Sequence, residues 1–188
     1  MSRQRTLLSQ LQTFEPEDEL EAAHRHAMVN LLTESPDSFA RAHFAPGHFT
    51  ASCFIVDDAG RLLLHHHRRL DRWLQMGGHI EDGECPDSAA LREGREESGL
   101  QDLSLVWPGI FDLDVHSIPA GSGEPGHAHF DVRYLARTVS PSAIRIDPGE
   151  SRDLAWVPLH RAAELMPGQE SHRVIRKIER LWRARSIA

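Results

Sequence analysis

From Gly78 to Leu100 the chain reads GHIEDGECPDSAALREGREESGL. This stretch predicts a helix that opens at Pro86, a residue suited to a first helical position, and stops at Gly99. Residues three and four apart share a helix face, so Glu93, Glu96 and Glu97 project side by side with Arg92 one turn before Glu96. Like charges packed this closely repel. A solvated charged helix spreads opposite charges for mutual support, whereas here the carboxylates converge behind a Gly-rich loop. A hard cation, Mg²⁺ or Mn²⁺, explains them better: it takes carboxylate oxygens and keeps waters that a phosphate can replace.

The spacing resembles the signature of the Nudix hydrolases. Gly78, Glu84, Arg92, Glu93, Glu96, Glu97 and Gly99 fill its fixed positions, Leu100 is the closing aliphatic, and Gly77 completes the Gly-Gly at its entrance. One position departs: Gly94 stands where the signature has an aliphatic, and in a helix interior it costs about 1 kcal/mol relative to Ala. Its offset from Ala90 and Leu91 turns it inward, which suits close packing against a sheet.

The resemblance implies an α/β fold of the Nudix type, an α/β/α sandwich with a mixed β-sheet. It also implies metal-dependent cleavage, by an activated water, of a diphosphate bond in a nucleoside diphosphate linked to another group or in a related organic pyrophosphate. The implied metal ligands are Glu93, Glu96, Glu97 and the Gly78 carbonyl, with Arg92 orienting them and Glu84 in the same supporting network. The general base varies in this family. Here Glu93 and Glu97 compete for the role with Glu150, which lies shortly before Trp156 and Val157. No subgroup marker for a particular substrate is recognisable. Isopentenyl diphosphate isomerase has a related box but needs a cysteine just before it, where this chain has Leu74-Gln75-Met76. A nucleotide-binding module without turnover is the other alternative; such modules commonly lose box carboxylates, and this chain keeps them.

The remaining pattern is that of one enzyme-sized domain, with a helical extension over 1–45, a mixed core over 46–165 and a terminal helix over 166–188. Apolar residues from Leu20 to Leu32 form a helical stripe, predicting a helix over 16–33. Strands are expected over 49–56 and 61–66 about a turn at 57–60, then at 111–116, 127–133 and 152–157, with a short helix over 159–165. The segment 172–185 alternates Arg and Lys, including Arg173 and Lys177, with apolar residues at helical spacing. It predicts an amphipathic helix with a solvated basic face.

Two strands carry polar side chains that the box does not explain. His116 on one and His127, His129 and Asp131 on the other would share a polar face, open to three uses: substrate contact, plain sheet surface, or a transition-metal site. Trp73 and Arg69, just upstream of the box, are candidates to meet a base or phosphate, Trp73 equally a core residue.

A formal charge of −7 argues against a general nucleic-acid surface, and the expected partner is a small diphosphate, with an oligomer compatible. The apolar runs are too short to span a bilayer, the N-terminus lacks a hydrophobic signal core, and two cysteines build no disulfide framework. A cytoplasmic setting is expected.

Overall fold

The computed structural model describes residues 2–121 and 123–185. In chain order its elements are α1 (Arg3–Thr13), α2 (Glu19–Glu34), β1 (Gly47–Val56), β2 (Leu62–His67), β3 (Arg72–Leu74), β4 (Met76–His79), α3 (Pro86–Ser98), β5 (Ser104–Leu105), β6 (Asp112–Ile118), β7 (His127–Arg137), β8 (Ser151–Val157), α4 (Leu159–Leu165) and α5 (Gln169–Arg185). The class is α/β, as expected, and the sheet is mixed. β6 and β7 pair antiparallel. β1 and β7 run the same way: the Ala128 N–H donates to the Pro46 carbonyl at 2.9 Å, and the Thr138 N–H to that of Val56 at 3.2 Å.

Packing divides the chain into two compact units, with β1, α3 and β7 each contributing a segment to both. The first comprises the chain up to Ser52, Gly77–Ala90 and Trp107–Tyr134. Its core gathers Leu7, Leu11, Met28, Leu31, Phe49, Leu113, Phe130 and Val132, all buried. α2 begins later than the sequence pattern suggests, because the Asp18 side chain accepts from the Glu21 N–H at 2.8 Å and caps the helix there. Glu21 is itself fully buried: its carboxylate accepts from the N–H groups of Glu17 at 2.7 Å and Leu113 at 3.2 Å, joining α2 to β6. α1 lies on α2 through Leu7 and Leu11, one helical turn apart.

The second unit comprises Cys53–Met76, Leu91–Val106 and the chain from Leu135 onward. β2 is its central strand, paired antiparallel with β1, β3 and β8. The β1–β2 hairpin closes at Gly60, whose φ of 73° and contact with the Trp182 indole, 2.6 Å from where a Cβ would stand, both require glycine. α5 corrects one expectation. Val174, Ile175 and Ile178 are buried as predicted, but so are Arg173 and Lys177, which therefore leave the solvated face. The buried stripe of this helix is wider than its apolar residues and takes in the whole Arg173 side chain.

Candidate active site

α3 carries the box carboxylates. Arg92 donates through one guanidinium nitrogen to Glu93 at 2.9 Å and to Glu96 at 3.1 Å. Glu93 is largely covered and Glu97 is 5 % exposed, whereas Glu96 reaches solvent. Asp87, Glu93, Glu96 and Glu97 against Arg92 and Arg95 leave α3 net negative, with acidic oxygens as its donors, which is the chemistry a hard divalent ion satisfies. The helix stops where expected, Gly99 taking φ 77° and donating its N–H to Arg95. Gly94 does face the sheet: a Cβ there would stand 3.0 Å from a Leu103 methyl and 3.3 Å from the Cys53 sulfur.

The loop ahead of α3 belongs to the first unit, with Gly78 and Glu84. The Glu84 carboxylate accepts from the Glu81 N–H at 3.0 Å and closes the turn. Arg3 of α1 holds the same turn from outside, donating to the Glu81 carbonyl at 2.8 Å while its guanidinium lies 4.6 Å from the Phe39 ring centre. Gly77 is needed for close approach, since a Cβ would stand 2.5 Å from the Ser52 hydroxyl.

On β6 and β7 the register sets Asp112 opposite Arg133, Asp114 opposite Asp131, and His116 opposite His129. This ladder is not an open polar face, because Asp112, Asp114, Asp131 and Arg133 are all buried. Two aspartates directly opposite would destabilise a sheet, and Arg133 offsets this by donating to Asp131 at 2.9 Å, Asp114 at 2.8 Å and Asp112 at 3.4 Å. Asp131 also accepts from the hydroxyls of Ser52 at 2.8 Å and Thr50 at 3.2 Å. Its carboxylate is thus bonded within the fold to two hydroxyls and a guanidinium. Burial works against ionisation of Asp114, but Arg133 and His116 beside it outweigh that and hold its carboxyl well below the usual range.

Further along the ladder the histidines gather. His127 donates through Nδ1 to the Pro125 carbonyl at 2.9 Å, and its Nε2 lies 3.3 Å from the Nε2 of His129. His116 donates to Asp114 at 2.8 Å and stays partly exposed. Two further histidines, not singled out in the sequence, join them: His48 of β1 and His79 of β4. A signal for His48 existed, since His48, Thr50 and Ser52 alternate with Phe49, Ala51 and Cys53.

The other expected residues lie in the second unit. Glu150 is exposed in the turn before β8, its backbone carbonyl accepting from the Arg68 N–H at 2.8 Å and its charge acting on His67. Trp73 lies partly buried on β3, edge-on to His66 at 5.3 Å, and Arg69 is exposed on the β2–β3 loop.

Fold and box together describe a pyrophosphohydrolase, and comparison with known proteins gives the same answer. The family model described as NUDIX domain matches residues 46–177. A NUDIX-family hydrolase from Clostridium perfringens is 31% identical over 71% of this chain and 97% of its own, with a TM-score of 0.54. An Ap4A hydrolase from C. elegans shares the fold at 19% identity, over 72% of this chain and 98% of its own, with a TM-score of 0.55. The dihydroneopterin triphosphate pyrophosphohydrolase of E. coli does so at 20% identity, over 68% and 91%, with a TM-score of 0.51. The chain belongs to the Nudix family and is a pyrophosphohydrolase of that type. No described helix is long and apolar enough to cross a membrane.

Proposed function

We propose that this chain hydrolyses a diphosphate bond in a small, nucleotide-derived substrate in the cytoplasm, using Mg²⁺ or Mn²⁺. The observation that carries the reading is the net-negative box helix, in which Arg92 bonds Glu93 and Glu96 and Glu97 is buried on the same helix. Glu93, Glu96 and Glu97 would hold the ion. When bound, it neutralises phosphate oxygens and acidifies a water. Arg92 bonds Glu93 and Glu96 and so steadies how their carboxylates are set. Among the three candidate bases, Glu93 and Glu97 take precedence over Glu150, because their cover keeps the accepted proton from bulk water. Arg69 supplies charge to a phosphate and Trp73 an aromatic face to a base. The names of the two relatives that specify a substrate, Ap4A and dihydroneopterin triphosphate, support a polyphosphate.

The test is phosphate release from nucleoside triphosphates, nucleotide sugars, dinucleotides and CDP-alcohols with Mg²⁺ or Mn²⁺. Glu96→Gln and Glu97→Gln are expected to abolish turnover while leaving the thermal midpoint near that of the wild type. Wild-type rates in both variants would sink the assignment, and a compound bound tightly but left intact by the wild type would make the protein a binding module.

A further inference from the structure

We propose that His48, His79 and His129 form a binding site for a transition-metal ion of the zinc type. One ring nitrogen from each lies within 4.8 Å of the others. The three come from β1, β4 and β7 of the first unit, and the ring centres are 4.9 to 5.5 Å apart. A tetrahedral zinc ion with bonds near 2.0–2.1 Å sets its ligands roughly 3.3 Å apart, so small side-chain rotations bring these nitrogens to it. Imidazole suits zinc, cobalt, copper and nickel, whereas the box carboxylates suit Mg²⁺ and Mn²⁺.

Two observations separate a metal site from a packed histidine cluster. First, the Nδ1 of His48 faces the His43 carbonyl at 3.3 Å and must donate to it, which leaves the lone pair of its other ring nitrogen for a ligand. That second nitrogen is buried and has no hydrogen-bond partner. A buried orphan acceptor is costly in a finished fold and is what a metal ligand looks like before the ion arrives. Second, a ring nitrogen fixed by a backbone carbonyl is the usual outer support of a metal-bound histidine. His127 is fixed in the same way by the Pro125 carbonyl, but its Nε2 is engaged by the Nε2 of His129 at 3.3 Å, so it stands beside the three rather than among them. Three protein ligands leave a tetrahedral ion one further position for water or an anionic oxygen.

The test uses the full chain, stripped with chelator and titrated with Zn²⁺ in excess Mg²⁺, with bound metal measured after desalting. Excess Mg²⁺ occupies the carboxylates, and desalting removes ions held loosely elsewhere among the 13 histidines. The expected result is one Zn²⁺ per chain and a raised thermal midpoint. His48→Ala and His129→Ala should each weaken binding by more than the roughly 10–100-fold that loss of an outer-shell partner costs. Glu97→Gln should retain the full equivalent. The proposal is overturned if the wild type keeps no Zn²⁺, if both histidine variants bind as the wild type does, or if Glu97→Gln loses the ion. Should the histidine variants fail to fold, the wild type decides. Its Co²⁺ form is expected to show tetrahedral visible absorption, and X-ray absorption of its Zn²⁺ form the outer-shell scattering of imidazole rings. An octahedral, all-oxygen environment overturns the proposal.

Discussion

Arg133 and Asp131 lie two residues apart on one face of β7 and bond directly, Nε to carboxylate oxygen at 2.9 Å, with both side chains buried. The same guanidinium holds Asp112 and Asp114, so one cation stands between three buried carboxylates. Removing it strands charges that cannot reach water. Arg133→Met is expected to cost at least about 3–5 kcal/mol in urea unfolding. Arg133→Lys keeps the charge but loses the fork, and should fall between that variant and the wild type. A loss of under about 1 kcal/mol for Arg133→Met would mean that the aspartates are not charged in the fold.

Acid should act on this protein before its carboxylates protonate. His65 is 1 % exposed and hydrogen-bonded to the Ser151 hydroxyl at 2.8 Å, and burial pushes its pKa from 6.5 down to about 4. A histidine with a depressed folded value is neutral in both states above 6.5; below that the unfolded chain takes the proton first. The stability it contributes is therefore complete above pH 6.5 and declines as pH falls toward about 4, by on the order of 3 kcal/mol. The urea midpoint should drop across that window, and less steeply in His65→Gln. Asp114, held down by Arg133 despite its burial, adds a second decline only below the ordinary carboxylate range. Equal slopes in wild type and His65→Gln would remove His65 as the cause.

The reach of α1 to the box loop gives a third expectation. Arg3 donates to the Glu81 carbonyl at 2.8 Å in the turn that Glu84 closes. Arg3→Ala should cost only about 0.5–1.5 kcal/mol of stability, the net worth of one ordinary hydrogen bond. Its effect on turnover should be larger, because the loop it steadies leads directly from Gly78 into α3. Unchanged kcat and KM, measured together, would show that the loop holds its place without α1.

What the sequence disclosed follows from where its signals are local. The box helix could be bounded because Pro86 and Gly99 punctuate it, and α4 because a proline precedes it and its apolar spacing is regular. α1 went unread because only Leu7 and Leu11 are buried among its polar residues, too few to declare a period. β7 was read only as far as Arg133 because its last residues, Tyr134, Leu135 and Ala136, are all buried and the alternation disappears there. The polar ladder showed its composition but not its burial, since whether Asp131 meets water or Arg133 depends on the partner strand and on what covers the face. His79 is hidden for another reason: its partners His48 and His129 lie far from it along the chain, and only the pairing of strands brings them together.

Gly94 offers the sharpest separation of helix propensity from packing. As a glycine in a helix interior it costs about 1 kcal/mol against Ala, and Gly94→Ala should recover part of that. The new Cβ stands 3.0 Å from the movable tip of Leu103, 3.3 Å from the Cys53 sulfur and 3.4 Å from the Cys53 Cβ, so that variant should lie near the wild type. Gly94→Ile, which restores the aliphatic of the family signature, drives further carbons into the same contacts and should cost about 1–3 kcal/mol through overpacking. Cys53→Ala removes the sulfur that the isoleucine would strike. In the double variant the two losses should therefore cancel in part, with a favourable coupling of roughly 0.5–3 kcal/mol in a double-mutant cycle. Additive losses would mean that the glycine answers to Leu103 rather than to the strand, and that β1 does not set the size of the residue at this position.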